Sequence, residues 1–185
     1  MAWIKVIPPE KAEGALKTCY DQIKKSRGKL AHIHTIHSLN PESLKNHMDL
    51  YMTIMFSRSG LTREEREMIA VTVSASNQCP YCIRHHGEAL NYYWKDREKL
   101  ERFIDDFSSV PLNEKQSAML AYAKSLTENP SSVTENSVVK MKKTGFSDEE
   151  ILNINLIISY FNFVNRIAMG LGVETSESEA AGYQY

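Results

Sequence analysis

Four residues with reactive side chains occur in the middle of the chain at a regular spacing. Cys79 and Cys82 are separated by two residues, and His86 follows Cys82 by four. Glu67 precedes Cys79 by twelve residues. On a helix, Cys82 and His86 share one face, and Cys79 lies one turn earlier. Because two thiols at this spacing can form and open a disulfide reversibly, the pattern predicts a redox-active thiol pair with a proton carrier beside it.

The residues around the two cysteines are typical of a helix N-terminus. Pro80 suits the first helical position after a Cys79 cap, because the N–H that proline lacks would have no helical partner there. Cys82 then falls in the first turn, where free amides and the helix dipole favour a thiolate. In helices that begin with such a pair, the first cysteine is commonly the more exposed nucleophile. Capping geometry alone therefore favours Cys79 as the attacking thiol.

Composition sets broad limits on the function. The chain has 185 residues, a net charge of −1, 42% hydrophobic residues and 24% charged residues, which is an ordinary balance for one globular domain spanning residues 1–185. This charge gives no reason to expect nucleic acid or an anionic membrane as a partner. No stretch approaches the ~20 apolar residues of a membrane span. We therefore expect a cytoplasmic protein, in which a CxxC pair is more often redox-active or metal-bound than a structural disulfide.

Helical periodicity runs through the whole chain and predicts an all-α fold. Capping boxes at Thr62/Glu65, Asn113/Gln116 and Ser147/Glu150 mark three helix starts. The predicted helices are residues 8–27, 30–39, 43–56, 63–78, 80–94, 99–107, 114–128, 133–143 and 151–167, followed by a polar tail from Glu174.

A weak internal repeat links the two halves of the chain. Residues 61–65 match residues 146–150 at an offset of 85, which also aligns Asn77 with Asn162. Cys79 and Cys82 would align with apolar residues of the second half. The repeat suggests a CxxC-bearing unit at about residues 43–95 and a related unit at about residues 112–173, and the few matches leave duplication an open hypothesis.

The motif resembles that of the alkylhydroperoxidase D (AhpD)-like group of the carboxymuconolactone decarboxylase superfamily. Residues 59–67 and 79–86 carry the likeness, including the Glu, Cys-x-x-Cys and His at the family spacing. The ending at residues 160–173 is similar to that of the peroxidase-related branch. One departure is Tyr81, because AhpD members can place a second histidine between the two cysteines.

The resemblance implies an AhpD-like helical bundle that acts as a thiol-dependent peroxidase. Cys82 would attack the peroxide and become a sulfenic acid, and Cys79 would condense with it to a disulfide. His86 would move a proton at neutral pH, and Glu67 would orient it. The resemblance further implies a homo-oligomer, commonly a trimer or hexamer, with a thiol or dithiol as electron donor. Since sulfur carries the electrons, no organic cofactor is expected.

Several other interpretations of these residues compete with this one. A zinc ion could bind Cys79, Cys82, His86 and Glu67, but ligands on successive turns of one helix surround a tetrahedral ion poorly. No single backbone conformation aligns His32, His34 and His37, so they are expected at the edge of the core or at an interface. His85 lies off the line of the reactive residues and is a weaker proton carrier than His86.

Two alternative functions also remain open from the sequence. One is a carboxymuconolactone decarboxylase-like enzyme acting on a ring lactone, which is disfavoured because that reaction has no use for a thiol pair. The other is a redox sensor or binding module whose cysteines oxidise without turnover.

Overall fold

The described part of the chain, residues 2–175 and residue 179, contains nine α-helices and no strand in the computed structural model. This confirms the all-α prediction. The helices are α1 (Gly14–Arg27), α2 (His32–Thr35), α3 (Pro41–Phe56), α4 (Arg63–Ser76), α5 (Pro80–Trp94), α6 (Arg97–Asp105), α7 (Glu114–Glu128), α8 (Glu135–Lys143) and α9 (Asp148–Gly170).

Three of these helices begin where the capping boxes predicted. Before α4, the Thr62 hydroxyl accepts from the Glu65 N–H at 3.1 Å, and the Glu65 carboxylate accepts from the Thr62 N–H at 2.8 Å. The same reciprocal pair of bonds opens α7 and α9. Each box satisfies two N–H groups that the first turn leaves without helical partners.

The first two helices are shorter than the apolar pattern predicted. Proline at positions 8 and 9 supports only a three-residue 3-10 turn, Pro9–Lys11, and α1 begins at Gly14. Residues 30–39 form only the four-residue helix α2, because Asn40 turns away to cap α3 by accepting from the Ser43 N–H at 3.0 Å.

The centre of the molecule is α4, which packs against α5, α7 and α9. Every residue of α4 from Arg66 to Ser74 is buried. A smaller second cluster joins α1 to α3. Because α4 runs through the main core, a polar side chain on it, such as that of Glu67, can be held away from water.

A tight connection between α4 and α5 places the two cysteines. Gln78 has a φ of 55°, in the left-handed region that side-chain-bearing residues rarely adopt. The Cys79 N–H then donates to the Ser74 carbonyl at 2.9 Å, and Pro80 opens α5 as predicted. The thiol pair therefore lies at the corner between the most buried helix and its neighbour.

The described residues hold no helix that combines the length and apolar character of a bilayer span.

Candidate active site

Both cysteines of the pair are reduced and almost completely buried. Cys79 caps α5 and Cys82 lies in its first turn, with exposed fractions of 0% and 2%. Cys82 lines a pocket, whereas Cys79 does not. Access through this pocket therefore favours Cys82 as the thiol that meets a substrate.

The two thiols hydrogen-bond to each other, and this contact moves their pKa values in opposite directions. The pKa of Cys79 is lowered, chiefly because the Cys82 thiol donates to its sulfur, with further bonds from the Cys82 and Tyr81 backbone amides outweighing burial. The pKa of Cys82 is raised well above its ordinary value by the same bond, by burial and by the neighbouring charge. The first-turn amides thus stabilise a negative charge on Cys79 more than on Cys82.

Glu67 and His86 meet across the interface of α4 and α5. The His86 Nδ1–H donates to Glu67 Oε2 at 2.7 Å. Burial would raise the pKa of Glu67, whose side chain is 0% exposed, but the nearby His86 and Arg63 charges and the His86 bond hold that pKa below its ordinary value. Since Glu67 is ionised and occupies Nδ1, the Nε2 atom of His86 is left to exchange a proton with a ligand.

Arg63 is a second partner of Glu67 that sequence reasoning did not identify. Its Nη2 lies 2.5 Å from Glu67 Oε1, and its guanidinium packs over the Phe56 ring at 4.0 Å. Arg63 precedes Glu67 by four residues on α4, a spacing that brings oppositely charged side chains together on a helix. This spacing was the available signal in the sequence.

A single pocket brings three of the four predicted site residues together. Cys82, His86 and Glu67 all line a cavity of about 70 Å³. One water molecule needs ~10–15 Å³ of such space, so the cavity has room for about five water molecules. The remaining wall is mostly apolar or aromatic and includes Ile33, Met48, Tyr51, Tyr81, Ala89, Tyr160, Phe161 and Val164.

Two neutral histidines line the same pocket. Burial, reinforced by neighbouring positive groups, lowers the pKa of both His34 and His47 to about 3. The His34 Nδ1 atom accepts from the Ala31 N–H at 3.0 Å. Sequence reasoning had placed His34 at the edge of the core and had not identified His47 at all.

The three histidines of the 32–37 segment have different surroundings. His32 is exposed and pairs with Glu179, while His37 stacks against His47 with ring centroids 4.9 Å apart. No group of three or more His, Cys, Asp and Glu side chains across residues 2–175 and 179 has an arrangement suited to a metal ion.

Tyr81 and His85 form a separate polar cluster with Glu179 on another side of the pocket. The Tyr81 hydroxyl donates to Glu179 Oε1 at 2.6 Å and accepts from the Ile33 N–H at 3.1 Å. The His85 ring stacks on Tyr81 at 4.2 Å, and its Nδ1–H donates to the Tyr81 carbonyl. Tyr81 therefore ties the CxxC helix to α2 and to Glu179.

Replacing Glu179 should destabilise the protein in a pH-dependent way. Despite burial, hydrogen bonds from His85, Tyr81 and His32 lower the pKa of Glu179 from 4.5 to about 2. Because the folded-state pKa is depressed, the ionised carboxylate stabilises the fold above pH 4.5, and this contribution disappears as the pH falls towards 2. Glu179→Gln should lower the free energy of unfolding by about 1–3 kcal/mol at pH 7. Denaturant unfolding at pH 7 and pH 3 measures this, and an equal deficit at both values would contradict it.

Comparison with known proteins agrees with the motif. The sequence profile of the Carboxymuconolactone decarboxylase family matches residues 41–125, which include α3, α4, the CxxC segment and most of α7. A curated relative, the uncharacterized protein YdfG of Bacillus subtilis (strain 168), is 24% identical over 136 residues, covering 74% of this chain and 91% of the relative.

Two solved structures share the fold over nearly the whole chain. The AhpD core of an uncharacterized peroxidase-related protein from Ralstonia eutropha JMP134 has a TM-score of 0.86 and 23% identity, covering 99% of this chain and 98% of that one. An uncharacterized peroxidase-related protein from Silicibacter sp. TM1040 has a TM-score of 0.83 and 25% identity, covering 98% and 93%.

The family profile over residues 41–125 and the fold shared along the whole chain support an AhpD-like member of the carboxymuconolactone decarboxylase superfamily. The resemblance predicted from the cysteine motif is confirmed at this level.

Proposed function

We propose that the protein is a thiol-dependent peroxidase that reduces small organic hydroperoxides with the Cys79–Cys82 pair. The observation that carries this proposal is the convergence of Cys82 and the hydrogen-bonded Glu67–His86 pair on one buried pocket. Peroxide reduction requires a thiol at the substrate and a group that supplies a proton to the departing oxygen. These residues provide both.

The first step oxidises Cys82. Cys82 gives its proton to the neighbouring Cys79 sulfur, and the Cys82 thiolate attacks the terminal oxygen of R–O–O–H. The O–O bond breaks, and the sulfur becomes Cys82–SOH as the peroxide is reduced by two electrons. The departing R–O⁻ takes a proton from His86 Nε2 and leaves as the alcohol R–OH. Glu67 keeps Nδ1 protonated throughout, so the proton exchanges at Nε2, while the Glu67 charge stabilises the imidazolium before transfer.

The second step forms the disulfide and the third restores the thiols. Cys79 loses the proton that it received in the first step and attacks the sulfur of Cys82–SOH as a thiolate. The S–O bond breaks, and the hydroxide takes up that proton and leaves as water. An external dithiol then reduces the Cys79–Cys82 disulfide and is itself oxidised to a disulfide. Cys79 caps α5 and Cys82 lies in its first turn, so the disulfide would join neighbouring side chains at one helix end.

The pocket favours a small, mainly apolar peroxide. Its size, about 70 Å³, suits a compact alkyl or aryl group better than a long acyl chain. Its aromatic wall, formed in part by Tyr160 and Phe161, contributes apolar contacts that hydrogen peroxide cannot use.

Steady-state peroxide consumption with dithiothreitol tests the proposed function. Purified protein should consume tert-butyl or cumene hydroperoxide continuously, with a higher kcat/KM than for hydrogen peroxide. A single oxidation without turnover would instead indicate a redox sensor. Turnover of carboxymuconolactone with no peroxide consumption would indicate a lactone enzyme.

We also propose that the protein acts in the cytoplasm as a homo-oligomer, a trimer or hexamer. Support comes from α9, whose outer face leaves Leu152 58% exposed and Phe163 49% exposed. Apolar side chains on one helix face are typical of a surface covered by another subunit. Light scattering coupled to size-exclusion chromatography measures the assembly, and a monomer at micromolar concentration would contradict the proposal.

A further inference from the structure

We propose that His34 is a specificity-determining residue whose Nε2–H group donates to a carbonyl oxygen on the body of the substrate. The preferred peroxide is then a compact apolar molecule that also carries an uncharged carbonyl group. This inference deepens the proposed function and rests on it for the statement that the ligand is a peroxide. Binding of the carbonyl group itself is testable without any peroxide.

The backbone of Ala31 determines which nitrogen of His34 carries the proton. The Ala31 N–H donates to His34 Nδ1 at 3.0 Å, and the His34 N–H donates back to the Ala31 carbonyl at 2.9 Å. Because a backbone N–H can only donate, Nδ1 has no hydrogen, and the neutral ring holds its proton on Nε2. Burial and neighbouring positive groups also keep the ring uncharged, since they lower its pKa to about 3. His34 is therefore a neutral donor.

The Nε2–H group of His34 has no acceptor among residues 2–175 and 179. Within this part of the chain, the side chain forms its one hydrogen bond through Nδ1, although it is only 7% exposed. The sealed nitrogens that lack a partner belong to other histidines, so the His34 N–H opens onto the catalytic pocket that the residue lines. An oxygen acceptor in the cavity would satisfy this donor and recover the free energy that its burial costs.

Tyr81 fixes the position of His34 relative to the reactive cysteine. The Tyr81 hydroxyl accepts from the Ile33 N–H at 3.1 Å, which ties the four-residue helix α2 to the CxxC helix. Ile33 and His34 are adjacent on α2, and both line the pocket together with Cys82. The departure from the family motif at Tyr81 thus has a structural consequence, because the residue between the two cysteines anchors a helix that brings a histidine from outside the motif.

A neutral donor in a mostly apolar wall selects an uncharged carbonyl group over a carboxylate. The charges of Arg63 and Glu67 already meet at 2.5 Å, and His34 adds none. A carboxylate that enters the pocket loses its hydration, and one neutral N–H replaces little of it, whereas a ketone or ester carbonyl loses much less. Arg27 lines the same pocket, so a carboxylate held by Arg27 is the competing ligand and is tested directly.

NMR titration of the reduced protein with two ligands of the same shape tests the hydrogen bond. Acetophenone carries a carbonyl oxygen where α-methylstyrene carries a CH₂ group. In His34→Asn, the amide oxygen can still accept from the Ala31 N–H, but the shorter side chain does not replace Nε2–H. The ratio of the α-methylstyrene Kd to the acetophenone Kd should fall by about two- to tenfold from its wild-type value, the usual effect of one neutral hydrogen bond. Comparing this ratio between proteins cancels the different hydrophobicity of the two ligands.

A matched control lies three residues further along the chain. His37→Asn changes the same residue type at a position that stacks on His47 and is not part of the pocket wall, so it should leave the ratio unchanged. Circular dichroism checks the folding of both variants. An unchanged ratio in folded His34→Asn would overturn the proposal. Tighter binding of benzoate than of acetophenone at pH 7 would also overturn it and would assign the site to a carboxylate held by Arg27.

If His34→Asn does not fold, the wild-type protein gives a second test. Side-chain ¹⁵N spectra should show the His34 proton on Nε2 at neutral pH, and the Nε2 signal should move more with acetophenone than with α-methylstyrene. A proton on Nδ1, or equal shifts with both ligands, would contradict the proposal. Because no measurement uses peroxide, a protein that binds acetophenone through His34 without consuming peroxide would refute the proposed function alone. Peroxide consumption without a preference for the carbonyl ligand would refute this inference alone.

Discussion

Cys82→Ser should abolish peroxide consumption, whereas Cys79→Ser should allow one oxidation per chain and then stop. Cys82 is the only cysteine of the pair that lines the pocket, so this substitution removes the sulfur that we propose attacks the peroxide. Without Cys79, the sulfenic acid on Cys82 has no neighbouring thiol with which to condense and should accumulate. Mass spectrometry after mild peroxide treatment and a sulfenic-acid trap reads both outcomes.

The lower pKa of Cys79 defines the alternative outcome of this experiment, in which Cys79 and not Cys82 attacks the peroxide. The pKa of Cys79 is lowered and that of Cys82 is raised, so Cys79 is the thiol of the pair that ionises first. If Cys79 also attacked the peroxide, trapping would label Cys79 in the Cys82→Ser variant and nothing in the Cys79→Ser variant. That result would reverse the assigned roles and show that thiolate charge matters more than access to the pocket. Cys19→Ser is the control, since Cys19 bonds the Pro41 carbonyl away from this site.

His86→Asn and Glu67→Gln should each slow oxidation of the reduced protein by ~10²–10⁴-fold, the usual effect of removing a positioned acid–base group. In the proposed mechanism His86 supplies the proton through Nε2, and Glu67 orients it through the 2.7 Å bond to Nδ1. Because the pair acts as one unit, the double variant should be little slower than the slower single variant. Stopped-flow oxidation across pH measures the rates.

Matched controls separate the relay from general damage. Glu64→Gln removes a carboxylate on the same helix that bonds Trp94 instead of His86, and it should keep a near-normal rate. His85→Asn should cost much less than His86→Asn, because His85 faces Tyr81. Glu67→Gln leaves Arg63 without its buried partner, so circular dichroism must confirm folding. A loss confined to His85→Asn, with normal rates in the other two, would identify His85 as the proton carrier.

Residues close together in the sequence made two features predictable, the helix starts and the position of the cysteine pair at the start of α5. Thr62 and Glu65 are three residues apart, and Pro80 directly follows its capping residue, so the sequence itself contains the geometry. The Glu67–His86 contact was predictable only through family resemblance. The spacing alone places these residues on different helices and does not say whether the two helices meet.

The rest of the site depends on contacts between distant parts of the chain. His34, His47 and Glu179 reach the pocket region from α2, α3 and the C-terminal segment, and no periodicity encodes that meeting. The left-handed backbone of Gln78 was also hidden, because glycine or asparagine is the usual residue there.

The burial of both sulfurs determines which molecules can return electrons to the oxidised enzyme. Reduction of a disulfide requires a thiolate in line with the S–S bond, and exposed fractions of 0% and 2% leave no surface on which a protein donor could place its own cysteine. In this conformation a reductant must be small enough to enter through the pocket beside Cys82. We therefore expect regeneration by low-molecular-weight dithiols to outpace regeneration by a thioredoxin-sized protein, and to limit the steady-state rate at low dithiol concentration.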